Sequence, residues 1–161
     1  MAPGNLRTAA LELWQRGYER HRAGDLEGAV SLYRRSIANC PTAEAHTFLG
    51  WAYAHAGQVG CAIEECKRAI EVDPDFGNPY NDIGAYLIEL GLLDDAIPWL
   101  ERAKRAPRYE PRHFPYLNLG RLYLAKRDLS LALREFTSAL AIHPHDALAE
   151  GAVRMIRARV S

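Results

Sequence analysis

The chain has 161 residues, room for one ordinary domain or a short repeat array. Lys and Arg balance Asp and Glu at 20 each, so net charge gives no steering towards nucleic acid, and no nucleic-acid partner is expected. Apolar residues make up 48% and charged residues 25%, a globular mix with no run of 18 apolar residues, so no membrane insertion is expected. The start, MAPGNLRTAALELWQRG, lacks a continuous apolar stretch and does not read as a signal peptide. Cys40, Cys61 and Cys66 form an odd set with no secretion signal, so reduced thiols in a cytoplasmic chain are the reading. Cys61 and Cys66 fall about 140° apart around an expected helix, which is wrong for a shared metal ion.

Residues 1–7, with Pro3 and Gly4, read as a short frayed leader. A first helix pair follows over 10–42. Gly17 sits where two helices pack closely, and Gly24 ends the first helix in a left-handed turn. Ala29, Tyr33, Ser36 and Pro41 carry the pattern through the second helix, and Asp25 and Glu27 favour its start. The next stretch, 43–76, repeats these fixed points 33 residues later: Gly24 maps to Gly57, Ala29 to Ala62 and Pro41 to Pro74. A third copy, 77–112, follows at 34 residues, mapping Gly50 to Gly84, Gly57 to Gly91 and Ala69 to Ala103. Its helices are expected at about 77–90 and 94–104, with Asp94 and Asp95 at the start of the second and Pro98 close to that start.

The fourth copy, 113–145, comes at 36 residues, mapping Gly84 to Gly120 and Ala96 to Ala132. The extra residues fall in the 106–112 linker, where Pro107 and Pro111 stop the preceding helix. Here the glycine between helices is replaced by Arg127, which is expected to adopt a left-handed conformation at some cost. The last segment, 146–161, reads as a single helix that covers the end of the array, with Leu148, Ala152, Met155 and Ile156 at helical spacing. At the other end, Arg16 and Arg20 replace the Leu49 and Tyr53 of the second copy. This is the polar face expected of a first repeat.

The recurring Leu49-Gly50, Tyr53, Gly57, Ala62, Ala69 and Pro74 pattern, kept in register in four copies, resembles the tetratricopeptide repeat. The resemblance implies an all-α fold: one array over 1–161, a right-handed α–α superhelix of antiparallel helix pairs with a capping helix. It also implies a concave groove lined by the first helix of each pair, which commonly receives a segment of another protein. No Gly-rich phosphate loop, His-Glu-x2-His or Gly-x-Ser-x-Gly occurs, so no catalysis is expected. No cofactor and no metal are expected either. His46 and His55 are about 180° apart on one helix, and His143-Pro-His145 at a helix end is assigned no ligand. His21 and His55 are expected to approach each other across neighbouring groove helices.

Counting from the repeat frame, the groove is lined by Leu11, Trp14, Tyr18, His21 and Arg22, then by Glu44, Thr47, Phe48, Trp51 and His55. Asn78, Asn81, Asp82, Ala85 and Glu89 follow, then Phe114, Leu117, Asn118, Arg121 and Ala125. Of these, Trp14, Tyr18, Arg22, Phe48, Trp51, His55, Asn78, Asn81, Asn118 and Arg121 are the candidate partner-binding residues. The rings offer contact area at low entropy cost, and the asparagines both donate and accept. In a known subclass of the family, basic clamps grip carboxylate tails. The matching positions here are Trp14, Tyr18, Phe48, Asn78 and Asp82, none of them basic, so that ligand is disfavoured. The expected function is an adaptor or scaffold that binds a peptide segment or helix of a partner protein. The rival readings are a self-assembling homo-oligomer and a regulatory or chaperone module of a secretion or surface-assembly machine.

Overall fold

The computed structural model describes residues 2–161, and every regular element among them is helical. The helices are α1 (Pro3–Arg22), α2 (Leu26–Asn39), α3 (Ala43–His55), α4 (Val59–Val72), α5 (Asn78–Glu89), α6 (Leu93–Arg105), α7 (Phe114–Ala125), α8 (Leu129–Ile142) and α9 (Ala147–Val160). Four antiparallel pairs, α1–α2 to α7–α8, stack in order, and α9 closes on α8. The odd helices also touch one another along the stack, α1 on α3, α3 on α5 and α5 on α7. The even helices make no comparable contact with each other. The array therefore curves towards the odd helices, and these line the concave side of a right-handed α–α superhelix.

Small residues set the spacing within each pair. Ala29, Ala62, Ala96 and Ala132 are fully buried at one repeat position. A Cβ on Gly17 would lie 2.7 Å from the Tyr33 ring, too close to fit without displacement. Between helices, Gly24, Gly57 and Gly91 have φ of 86°, 81° and 76°, and Arg127 takes the same turn at φ 61°. The fourth turn thus keeps its left-handed shape with a side chain that disfavours it.

Side-chain oxygens start four helices. Asp25, Thr42, Asp128 and Asp146 accept from the backbone N–H three residues on, as N-caps do. Asp94 and Asp95 fall in the first turn of α6, whose N-cap is Leu92 with no side-chain bond. There the two carboxylates act on the helix dipole instead. Pro98 lies within α6.

Three expectations need correction. Residues 3–7 are not a frayed leader but the first turns of α1. Pro3 stands in its first turn, where a missing N–H costs nothing. Only Met1 of that segment lies outside the described residues. In α9 the buried stripe is Ala149, Val153 and Ile156, while Leu148 and Met155 are exposed. The closing helix is rotated because the small Ala149 side chain fits against Ala139 and Phe136 in one apolar cluster.

The third correction concerns the 106–112 linker, which does more than cross between pairs. Its backbone bridges back to the 73–77 loop: Gly77 N–H donates to Arg108 O at 2.9 Å, and Arg108 N–H to Asp75 O at 3.1 Å. The Arg108 guanidinium donates to Glu44 at 2.8 Å, pairs with Asp73 and lies 4.4 Å over the Phe76 ring. Tyr109 is buried beside Tyr80, Ala103 and Ala106.

Candidate functional site

The concave face divides into an aromatic half on α1 and α3 and a polar half on α5 and α7. In the aromatic half, Phe48 is the hub. Its ring meets Trp14 edge-on at 5.2 Å, Tyr18 edge-on at 5.5 Å and Trp51 at 4.5 Å. Trp14 and Tyr18, four residues apart on one helix face, stack in parallel at 6.2 Å. The undersides of Trp14 and Phe48 pack on buried Ala29, Tyr33, Leu49 and Ala52. Trp51 packs on Cys66 of its own pair and on Ile83 and Tyr86 of the next. All four rings remain partly or fully open on the groove side. They are thus inter-repeat packing on one face and available surface on the other.

Two depressions flank the ring row. One, of about 550 Å³, is lined by Arg7, Leu11, Trp14 and Glu44. Trp14 lines this depression, and its Nε1–H is buried without a hydrogen-bond partner. A buried N–H left unpaired costs about 1–3 kcal/mol. The second depression, of about 410 Å³, is lined by Tyr18, His21, Arg22, Trp51 and His55. There His21 Nε2 lies 2.7 Å from His55 Nδ1, and His21 Nδ1 lies 3.3 Å from the Tyr33 hydroxyl. The expected approach of His21 and His55 is therefore realised as a hydrogen bond. Burial, and then the neighbouring His55, hold the His21 imidazole below its ordinary value. Arg22 is exposed, its guanidinium 5.8 Å from the Tyr18 ring centre.

The polar half is a hydrogen-bonded ladder. Trp51 Nε1 donates to Asp82 Oδ2 at 2.5 Å, and Asn118 Nδ2 donates to Asn81 Oδ1 at 2.9 Å. Burial pushes the Asp82 carboxyl up to about 7, against the lowering effect of its bonds from Trp51 and Asn81. At neutral pH it is divided between acid and carboxylate. Asn78 points out of the groove towards the linker, donating to Glu110 O at 3.4 Å, and its own Oδ1 is buried without a partner. Arg121 is exposed one helical turn from the ladder.

The structure places the ten candidates unevenly. Trp14, Tyr18, Arg22, Phe48, Trp51, His55, Asn118 and Arg121 present surface to the concave side. Asn81 does not: it is 6% exposed, its amide spent on Asn118. Thr47 and Leu117, counted as groove lining, are also buried. The Thr47 hydroxyl donates to Ala43 O within its own helix, at 2.7 Å. Asn81, Thr47 and Leu117 occupy one repeat position, which the stack turns inward. Sequence reasoning missed two buried polar contacts within and between pairs. His46 Nδ1 lies 2.8 Å from Glu65 Oε2, and Lys104 Nζ lies 2.8 Å from Glu135 Oε2. Burial alone would raise the Glu65 carboxyl, but its bonds from His46 and Arg68 hold it below the ordinary range. Each of these glutamates falls at an inward helical position, the one signal that was available.

Comparison with known proteins agrees with this geometry. Residues 15–79 match the model of a family described as tetratricopeptide repeat. A curated relative, small glutamine-rich tetratricopeptide repeat-containing protein 2 of Mycosarcoma maydis, is 24% identical over 141 residues, 87% of this chain and 37% of the relative. The chain spans from 6% to 37% of the length of the curated relatives it matches. Among solved structures, pilF of Pseudomonas aeruginosa superposes with a TM-score of 0.90 at 21% identity, over 96% of this chain and 70% of that one. YrrB, described as having an unusual peptide-binding site, superposes at 0.72 with 20% identity, over 91% and 75%. At these identities the structural likeness speaks for the fold alone. No helix among the described residues is long and apolar enough to cross a membrane.

Proposed function

We propose that this chain, whose residues 15–79 match the tetratricopeptide repeat family, is a non-catalytic adaptor whose concave face holds a peptide segment or helix of a partner protein. Repeats of this family generally mediate protein–protein interaction. The observation that carries the reading is the row Trp14–Tyr18–Phe48–Trp51. These rings are braced from behind and open in front, beside a depression that Trp14 also lines. Rigid aromatic surface suits an extended or helical segment whose apolar side chains cover the rings. Asn118, Asp82 and the exposed cations Arg22 and Arg121 then set polarity along the segment. Asp82 disfavours a carboxylate there and favours a donor. The free thiols Cys40, Cys61 and Cys66 fit a cytoplasmic setting.

The test is titration of candidate partner segments against tryptophan fluorescence. Tyr18→Ala, at a ring already 38% exposed, and Trp51→Ala are each expected to weaken binding by about ten-fold or more, the scale of an interface anchor. Arg34→Ala, exposed on α2 away from the concave face, is expected to change nothing. Equal affinity in all three variants would sink the groove reading. Sedimentation across a concentration range separates a foreign segment from a second copy of this chain: a concentration-dependent dimer abolished by Tyr18→Ala replaces the adaptor with the self-assembly reading. Whether a captured partner belongs to a secretion or surface-assembly machine decides the third reading.

A further inference from the structure

The geometry points to a zinc-class metal site outside the groove, formed by His113, His143 and Asp146 where the fourth helix pair meets α9. These residues come from two separate loops, 30 residues apart in the chain at His113 and His143. Their nearest ligand atoms nevertheless all lie within 4.8 Å of one another. The two imidazoles stack with centroids 4.5 Å apart and planes 16° apart. His113 Nε2 faces Asp146 Oδ2 at 3.8 Å, too long for a hydrogen bond. The buried ring therefore points a nitrogen at a carboxylate without bonding to it.

Each ligand is held by its own backbone. His113 ends the linker, and its carbonyl accepts the Leu117 N–H at 3.1 Å as α7 begins. The His143 N–H donates to Ala139 O at 2.8 Å, and its carbonyl accepts the Asp146 N–H at 3.2 Å. That turn puts His143 and Asp146 on one side. Asp146 Oδ1 caps α9 by accepting the Ala149 N–H at 2.8 Å. Capping fixes the carboxylate's direction and leaves Oδ2 facing His113, so the orientation of this ligand is settled before any ion arrives.

The donor chemistry narrows the ion. Two imidazoles and one carboxylate, with no thiolate and no further oxygen, suit zinc or a neighbouring divalent transition ion; magnesium and calcium require oxygen shells. Three protein ligands with an exposed His143 leave the fourth position to water. Around a tetrahedral ion with bonds of about 2.0–2.1 Å, donor atoms lie about 3.3 Å apart. Reaching that distance requires rotation of the exposed His143 side chain and a closer approach of His113 and Asp146, now 3.8 Å apart. A bound ion would clip the linker ahead of α7 to the turn ahead of α9, joining the last repeat to the closing helix.

The experiment uses the full chain, free of any histidine tag and stripped with a chelator, titrated with zinc sulfate by calorimetry and by thermal unfolding. Expected are one equivalent of bound zinc, no response to magnesium, and a rise of about 5 °C in Tm when zinc exceeds Kd by about 100-fold. His143→Ala, at a solvent-exposed ring, is expected to weaken binding at least ten-fold. His113→Gln should do the same while leaving the far-ultraviolet dichroism unchanged. His145→Ala and His21→Ala are expected to leave affinity intact. The assignment is overturned by absence of binding, by binding that survives His143→Ala unchanged, or by binding that either control weakens. Either control result would place the ion at a surface His-Pro-His or at the His21–His55 pair.

Discussion

The two halves of the concave face solve one problem with different chemistry. Phe48, Asp82 and Asn118 occupy the same repeat position on α3, α5 and α7, separated by 34 and 36 residues. Phe48 meets its neighbours ring against ring. Asp82 accepts from the indole of the preceding groove helix, and Asn118 donates to the amide of the preceding one. A ring row tolerates small shifts, because dispersion is not directional. A hydrogen-bonded ladder does not, since a bond lost in a partly buried place leaves a polar group unpaired. The aromatic half therefore suits the variable apolar contact proposed for it. The polar half fixes the register of its own helices and leaves fewer polar groups free, Asn81 being buried.

The largest expected effect that tests this contrast is at the hub. Phe48→Ala removes a ring shared by four aromatic neighbours and is expected to cost about 3 kcal/mol in urea unfolding. A cost under about 1 kcal/mol would mean that the rings cover surface without bracing the repeats.

Next comes Asp82, whose effect has the opposite sign. Its carboxyl titrates at about 7 when folded against an ordinary 3.8. A raised folded value penalises folding progressively as pH rises from about 4 to about 7, and the penalty is constant above that. Asp82→Asn keeps an acceptor for the Trp51 N–H and removes the charge. It is expected to stabilise the chain measurably at pH 8 and by little at pH 4. Parallel stability curves for the two proteins across that window would show that the carboxyl ionises freely.

The smallest effect lies in the turns. Three pairs use glycine at the left-handed position and the fourth uses Arg127. Arg127→Gly is expected to gain about 1 kcal/mol, read as a Tm higher by about 2–4 °C. An unchanged or lower Tm would show that the arginine side chain makes up for its backbone.

Most of the fold was legible because its determinants are local. Left-handed glycines, small residues at close crossings and capping aspartates each act within a few residues of themselves, and their recurrence at 33–36 residues announced the stack. The aromatic half of the site was legible for the same reason, since Trp14 and Tyr18 lie one turn apart on a helix whose inner face the repeat frame identifies. The polar half was less so. Whether an asparagine faces solvent or its neighbour depends on the rotation between successive pairs, and no residue records that rotation alone. The exposed Met155 and the buried Val153 on α9 reflect the same dependence.

By itself, then, the sequence determined the helix pairs, their turns and the identity of the concave side, all set by short-range sterics and the 3.6-residue period. Tertiary structure alone decided what meets across long separations. It sent the 106–112 linker back onto the 73–77 loop, paired His46 with Glu65, turned Asn81 inward, and brought His113 beside His143 and Asp146. Those meetings depend on the small angle accumulated from one repeat to the next. That angle is a sum over packed interfaces, and no single stretch of chain contains it.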